Sequence, residues 1–364
     1  MVKAVVIRRS DRPIEVVDIE VGAPKVGELA IRIVAAGVCH SDLSLAKAGG
    51  AGMELPVVLG HEAAGIVERV GEGVAGFGEG DHVILSPVPQ CHHCRFCDSG
   101  QWTLCDSSLR AFTGKMFDGT TRMSLDGAAV TQMACIGAWS ERTVVPAMSA
   151  VKIDKAMPLE QAALIGCGVV TGYGAAVNVA DISRGDSVAV IGCGGTGLNA
   201  VQGARLRGAE RIIAVDVIVE KLELARRFGA TDTINAESSD AVAAVQDLTA
   251  GYGVDVGIDA VGTKATFAQV VAMTRRGGQC ILSGMAAPDL SFSMMQFTAA
   301  GKILKGNMLG MGDFRVEFPK LVKLYQDGEL MLDELITKRI SLEQVNTAFE
   351  DMEAGKVARS VIDL

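Results

Sequence analysis

Four cysteines crowd into fifteen residues of this chain: Cys91, Cys94 and Cys97 read CxxCxxC, and Cys105 follows after seven more residues. Four thiolates at that spacing can fold tetrahedrally around one zinc ion and saturate it, which makes a closed, structural site. His92 and His93 lie inside this run and are expected at the solvent, as loop residues usually are. A second donor set is dispersed: Cys39 in GVCHSD, His61 in LGHEAAG and Cys167 in LIGCGVVTGYG. Two thiolates and one imidazole leave zinc a fourth, open position, where it acts as a Lewis acid and brings the pKa of a bound hydroxyl group toward neutrality. The competing reading makes His61 a hydrogen-bonded core histidine and Cys39 and Cys167 small buried hydrophobes; Cys135, Cys193 and Cys280, outside both sets, are expected to be just that.

A third constellation handles phosphate. SVAVIGCGGTGLNAV sets Gly192, Gly194, Gly195 and Gly197 directly after an apolar strand and at the start of a helix. There the backbone can approach a pyrophosphate at the helix N-terminus. The next strand ends in Asp216, twenty-four residues after Gly192, where a carboxylate holds the ribose diol of an adenosine and repels a 2′-phosphate. Val217, Ile218 and Val219 bring no arginine to neutralise one, so NAD is expected rather than NADP. The plainer alternative is a tight glycine turn with Asp216 capping a loop.

These residues need elements to carry them. Up to about residue 150 the sequence reads as short strands and turns, with β-rich runs at VKAVVI, LAIRIVAAGV, AAGIVERVG and DHVILSP. From about 170 apolar strands alternate with helices: SVAVIG, a helix over LNAVQGARLRGA, RIIAVD, a helix over KLELARRFGA, then VDVGIDAVG and GGQCILSG. That alternation predicts a doubly wound parallel sheet of five or six strands. Two helices follow, over FPKLVKLYQDG and LEQVNTAFEDMEAG, the second opening at Ser341 with a capping box to Gln344. The α/β architecture expected is a β-rich, GroES-like catalytic domain, 1–168 and 310–364, around a Rossmann coenzyme domain, 169–309, with the substrate cleft where they meet.

At 364 residues the chain exceeds what one core usually covers, and 49% hydrophobic against 21% charged residues leaves little room for disorder. A net charge of −9 without a block of like charges gives no electrostatic reason to bind nucleic acid or an anionic membrane. No run of eighteen apolar residues and no secretory signal stands out, so a cytoplasmic protein with a small-molecule partner is expected.

The segments Cys39-His40-Ser41-Asp42 and Gly60-His61-Glu62, the cysteine cluster, the Cys167 segment and the glycine loop together resemble, in order across nearly the whole chain, the zinc-containing medium-chain alcohol dehydrogenases. The resemblance implies a homodimer or homotetramer with NAD and two zinc ions per subunit, moving a hydride between an alcohol and the coenzyme. It implies that Ser41 bonds the alcohol and starts its proton relay, that Asp42 orients His61, and that Glu62 is the acid beside the metal. By the same resemblance His40 and Arg359 contact the coenzyme pyrophosphate, Lys221 lies near the adenosine ribose, and Thr171 and Thr196 lie beside the nicotinamide. The implied pocket includes Pro87, Met133, Ala134, Met285 and Met308, suiting a primary alcohol with a medium aliphatic or aromatic tail.

Two positions depart from the pattern. Ser44 stands where liver-type members carry a proton-relaying histidine, so the proton is expected to leave from Ser41 through the coenzyme ribose to water. The run MFDGTTR is similar to a loop of the glutathione-dependent formaldehyde dehydrogenases, yet Leu109 stands where those enzymes have an arginine. Thiol-dependent formaldehyde oxidation is therefore the alternative activity, and a non-catalytic dinucleotide-binding protein the alternative class.

Overall fold

The computed structural model describes residues 1–50, 52–285 and 289–364. The chain divides into two compact units, Met1–Cys167 with Gly312–Leu364, and Gly168–Met311. These limits fall one and two residues from the boundaries read in the sequence.

In the first unit the four β-rich runs form Val2–Ile7, Glu28–Val38, Ala63–Val70 and His82–Leu85. Val2–Ile7, Glu15–Val21, Met123–Leu125, Ala128–Gln132 and Val57–Val58 close a small barrel. A seven-stranded sheet is ordered Ala150–Lys152, His82–Leu85, Ala63–Val70, Glu28–Val38, Arg359–Asp363, Ile336–Ile340, with Arg142–Pro146 also paired to Glu28–Val38. The C-terminal strand Arg359–Asp363 lies antiparallel to Glu28–Val38, Ser360 opposite Val38. The tail thus joins the sheet that ends at Cys39. The capping box at Ser341 and Gln344 forms, and its helical turn leads into the helix Val345–Glu353. Between strands and helix lies a core built around Trp139, Leu59, Ile31, Ile33 and Phe349.

The second unit is a six-stranded sheet ordered Asp232–Asn235, Arg211–Asp216, Ser187–Ile191, Val254–Asp259, Thr274–Leu282, Ile303–Gly306. Every neighbouring pair is parallel. The order runs 3-2-1-4-5-6 from the first strand of the unit, which reverses direction beside Ser187–Ile191 and opens a crevice there at the strands' carboxyl ends. The helices begin earlier than the apolar periodicity suggests: Gly195–Leu206 takes in the glycine loop, and Val219–Phe228 ends at Gly229 with φ 114°, a left-handed cap.

The helical stretch Leu159–Val179 holds an eighteen-residue window of mean hydropathy 1.5, long and apolar enough to cross a membrane by length and composition, although Glu160, Gln161, Thr171 and Asn178 keep it from being an unbroken apolar run. Its apolar surface is used inside the protein, since 83% of its most apolar window is buried.

Candidate metal and coenzyme sites

Cys39 follows the strand Glu28–Val38 and precedes the helix His40–Lys47. Asp42, in the first turn of that helix and 0% exposed, turns back to accept from the Cys39 backbone N–H at 3.0 Å. Its other oxygen meets His61 Nδ1 at 3.0 Å. A carboxylate only accepts, so Nδ1 carries the proton and Nε2 is left with its lone pair as the ligand atom. Cys167 lies on the π-helical turn Ile165–Val169, an irregularity common at functional sites. A Cβ on its neighbour Gly166 would stand 2.5 Å from the Leu85 carbonyl, so glycine lets this turn pack directly on the strand His82–Leu85.

One donor atom each from Cys39, His61, Glu62 and Cys167 lie within 4.8 Å of one another. This donor set is the one zinc prefers, and its mixture of thiolate, imidazole and carboxylate has no reason to converge in a core otherwise made of apolar side chains. Ser41 Oγ is 3.9 Å from Cys39 Sγ. Glu62 is fully buried and paired with Arg359 at 3.4 Å, while Arg359 also donates to the Val38 carbonyl at 3.2 Å. Arg359, expected at a coenzyme pyrophosphate, is 6% exposed and pairs with Glu62 beside these donors. His40 opens the helix His40–Lys47 and is exposed.

The electrostatics follow from this packing. The hydrogen bond from Cys167 holds the Cys39 thiol well below its usual range, against burial and with help from Arg359 and His61. Cys167, as the donor of that bond, is pushed well up. Burial lifts the Glu62 carboxyl to about 7, with Arg359 pulling it back. Burial opposes charge on His61, but Asp42 and Cys39 together outweigh it and, with no metal bound, the pKa stands well above the usual value.

Two residues that sequence reasoning did not single out shape this cluster. A Cβ on Gly37 would stand 2.4 Å from Glu62 Oε1, so only glycine leaves room for that carboxylate. Trp139, 0% exposed, donates from Nε1 to the Gly37 carbonyl at 3.1 Å. Gly60, at φ 92°, clears the same indole, which a Cβ there would approach to 2.4 Å. An isolated glycine within a strand was the available signal for Gly37.

The four clustered cysteines also converge, each with its sulfur within 4.8 Å of the others. Cys97 and Cys105 are buried, and the Cys91 backbone N–H donates to Cys105 Sγ at 3.3 Å. Backbone N–H groups of Cys97 and Asp106 bring the Cys94 thiol down to about 6, whereas burial pushes Cys97 up to about 12. His93 is exposed as expected, but His92 is half-buried, its ring 5.0 Å from Trp102 and its Nδ1 3.8 Å from Asp313. Cys135, Cys193 and Cys280 are all 0% exposed.

In the second unit, Gly192 has φ 91° and its Cβ would strike Val261 at 2.4 Å; a Cβ on Gly197 would lie 1.7 Å from the Gly192 carbonyl. Gly194, by contrast, faces open space at the N-terminus of Gly195–Leu206, so a phosphate can approach the backbone there. Asp216 accepts from the N–H groups of Cys193 at 2.7 Å, Val217 at 2.8 Å and Ile218 at 3.0 Å. It therefore holds the glycine loop in shape as well as offering a carboxylate beside it. Thr171 and Thr196 come close through backbone packing, for a Cβ on Gly172 would stand 1.9 Å from the Thr196 carbonyl. Lys221 lies on the helix Val219–Phe228, half-buried.

Among the implied pocket residues, Met133 and Ala134 pack in the first unit's core, Pro87 is buried, Met308 is half-buried and Met285 is 77% exposed. Leu109 is 74% exposed on the helix Asp106–Ala111. In MFDGTTR the arginine turns inward: Arg122 makes a two-pronged pair with Glu28 and bonds Asp118 at 2.9 Å.

Residues 25–155 match the alcohol dehydrogenase GroES-like domain family, and residues 195–327 the zinc-binding dehydrogenase family. An NDMA-dependent alcohol dehydrogenase from Amycolatopsis methanolica is 40% identical, with 99% of this chain and 98% of that one covered. The S-(hydroxymethyl)glutathione dehydrogenase of Saccharomyces cerevisiae is likewise 40% identical over 99% of this chain and 95% of its own. Benzyl alcohol dehydrogenase from Acinetobacter calcoaceticus has a similar structure, with a TM-score of 0.93 at 30% identity and with 100% of this chain and 99% of that one covered.

Proposed function

Since the chain belongs to the zinc-containing medium-chain alcohol dehydrogenase family, we propose that it transfers a hydride between NAD and a primary alcohol with a medium aliphatic or aromatic tail, giving the aldehyde. The observation that carries this reading is the convergence of Cys39, His61 and Cys167 on one buried point, with Glu62 beside them. Zinc bound by those three residues supplies Lewis-acid polarisation of a substrate oxygen, and a second zinc on the four clustered cysteines serves structure.

The chain's own groups do the rest. Asp42 fixes the protonated nitrogen of His61 and so aims the other; such outer partners typically govern metal affinity by 10- to 100-fold. Ser41 both accepts and donates, so its hydroxyl can take the alcohol proton and pass it on, though it cannot hold charge near pH 7. Arg359 offsets the buried charge of Glu62. Gly194 and Gly195 offer backbone to a pyrophosphate, and Asp216 selects NAD over NADP by repelling a 2′-phosphate.

Leu109 supports an alcohol without a thiol adduct, because a hydrocarbon side chain cannot pair with the carboxylates of such an adduct. The likeness to a benzyl alcohol dehydrogenase supports an aromatic or aliphatic tail. The reading is completed by a cytoplasmic homodimer or homotetramer acting on a small molecule without nucleic acid or membrane. The test is NADH formation from ethanol, benzyl alcohol and octanol, beside formaldehyde with and without glutathione. Turnover of benzyl alcohol or octanol with NAD is expected. Turnover confined to formaldehyde plus thiol would transfer the protein to the adduct-oxidising activity, and no NADH from any substrate at full zinc loading would defeat the proposal.

A further inference from the structure

We infer that Asn307 is a positioning residue that shapes the nicotinamide end of the coenzyme site, an assignment that rests on the NAD reading above. Three consecutive residues, Leu309, Gly310 and Met311, have φ values of 49°, 74° and 57°. Two of them carry side chains that disfavour this left-handed region, and such strain persists only where the surroundings over-determine it. Asn307, 9% exposed, supplies much of that determination. Its Oδ1 accepts from the Gly310 N–H at 3.0 Å, and its Nδ2 donates to the Thr171 carbonyl at 2.9 Å and to Ser283 Oγ at 2.8 Å. One amide thus ties together three segments distant in sequence. The turn is pinned from a further side as well, since Asn178 donates to the Gly310 carbonyl at 3.0 Å and a Cβ on Gly310 would stand 2.3 Å from the Val170 carbonyl.

The topology says which end of a dinucleotide this hub serves. Asp216 ends the strand on one side of Ser187–Ile191, so the adenosine half lies toward that side. The other half must run over the strands on the opposite side, Val254–Asp259, Thr274–Leu282 and Ile303–Gly306. Ser283 directly follows the second of these and Asn307 the third, at the carboxyl ends where ligands bind in such sheets. Asn307 acts through its neighbours, holding Thr171 and the Leu309–Met311 turn in the one arrangement the nicotinamide half meets.

Asn307→Asp keeps the shape and the acceptor for Gly310 but removes both donated bonds. Titration of the zinc-loaded protein with ADP-ribose and with NADH separates the two ends of the site. In N307D, NADH affinity is expected to fall about tenfold, as for lost buried amide bonds, while ADP-ribose affinity stays within about twofold of wild type. Ser283→Ala, which removes one acceptor, is expected to shift NADH alone by a smaller factor and decides the matter if N307D does not fold. Unchanged NADH affinity, or equal losses for both ligands, would overturn the inference while leaving the NAD reading intact. Wild-type protein that binds neither ligand would overturn both.

Discussion

At the scale of single residues, Asp42 bonds two of the three proposed zinc ligands at once, the His61 ring and the Cys39 backbone. Asp42→Asn keeps the volume but offers one acceptor oxygen where there were two, so one of those bonds is lost. Zinc affinity at the Cys39 site is expected to fall by about 10- to 100-fold, read by competition with a chelating dye, while the four-cysteine site keeps its metal. Equal loss from both sites would refute the assignment. Ser44, exposed on the helix His40–Lys47, has no pKa near neutrality to lend. Ser44→His is expected to add an ionisation near pH 6.5 to the pH–rate profile, and an unchanged profile would show that the proton leaves by a path that passes this position by.

At the scale of elements, the loop Met116–Arg122 owes its shape to charge buried under it. Arg122 and Glu28 are 3% and 8% exposed at their side chains. Arg122→Met leaves Glu28 buried and unpaired, a change expected to cost about 3–5 kcal/mol in denaturant unfolding; a loss under about 1 kcal/mol would show that water reaches the carboxylate. The strand His82–Leu85 carries a pH-dependent element. Burial, then Lys155 and Arg32, lowers the His82 pKa from 6.5. The unfolded chain therefore takes up its proton first, and stability falls as pH drops below about 6.5. His82→Gln is expected to flatten that decline in thermal unfolding between pH 7 and 5, and an identical slope would count against it.

The elements that were legible in the sequence are those with a long period or a dense motif. The glycine loop, the helices behind it and the inner strands of the second unit all showed, because apolar strands alternate there with amphipathic helices. The short strands Met123–Leu125, Ala150–Lys152 and Arg359–Asp363 did not, since three to five residues carry too little pattern and their pairing is decided by distant partners. The helix Phe314–Gln326 begins four residues before the apolar run suggests, with Pro319 inside it and Asp313 as its cap. The cap residue Asp313 stands outside the apolar run FPKLVKLYQDG, so the run alone does not mark the helix start.

For the whole molecule, motif spacing located the four-cysteine cluster, whereas Cys39, His61 and Cys167 could be joined only by donor type and resemblance, as more than a hundred residues separate the first from the last. Folding brings them together because the strand Glu28–Val38, the segment before Ala63–Val70 and the π-helical turn at Cys167 meet in one unit. Burial of Arg359 with Glu62 left no trace in the sequence, because the strand that carries Arg359 finds its place only in the assembled sheet. The account rests on two metal sites of different chemistry in the same unit. Zinc X-ray absorption together with metal analysis tests it most directly. Two zinc ions per chain are expected, with a mean shell of about three sulfurs and one nitrogen or oxygen per zinc, the average of a four-thiolate site and an open site with two thiolates and one imidazole. One zinc per chain in an all-sulfur shell, unchanged by Cys39→Ser, would contradict it.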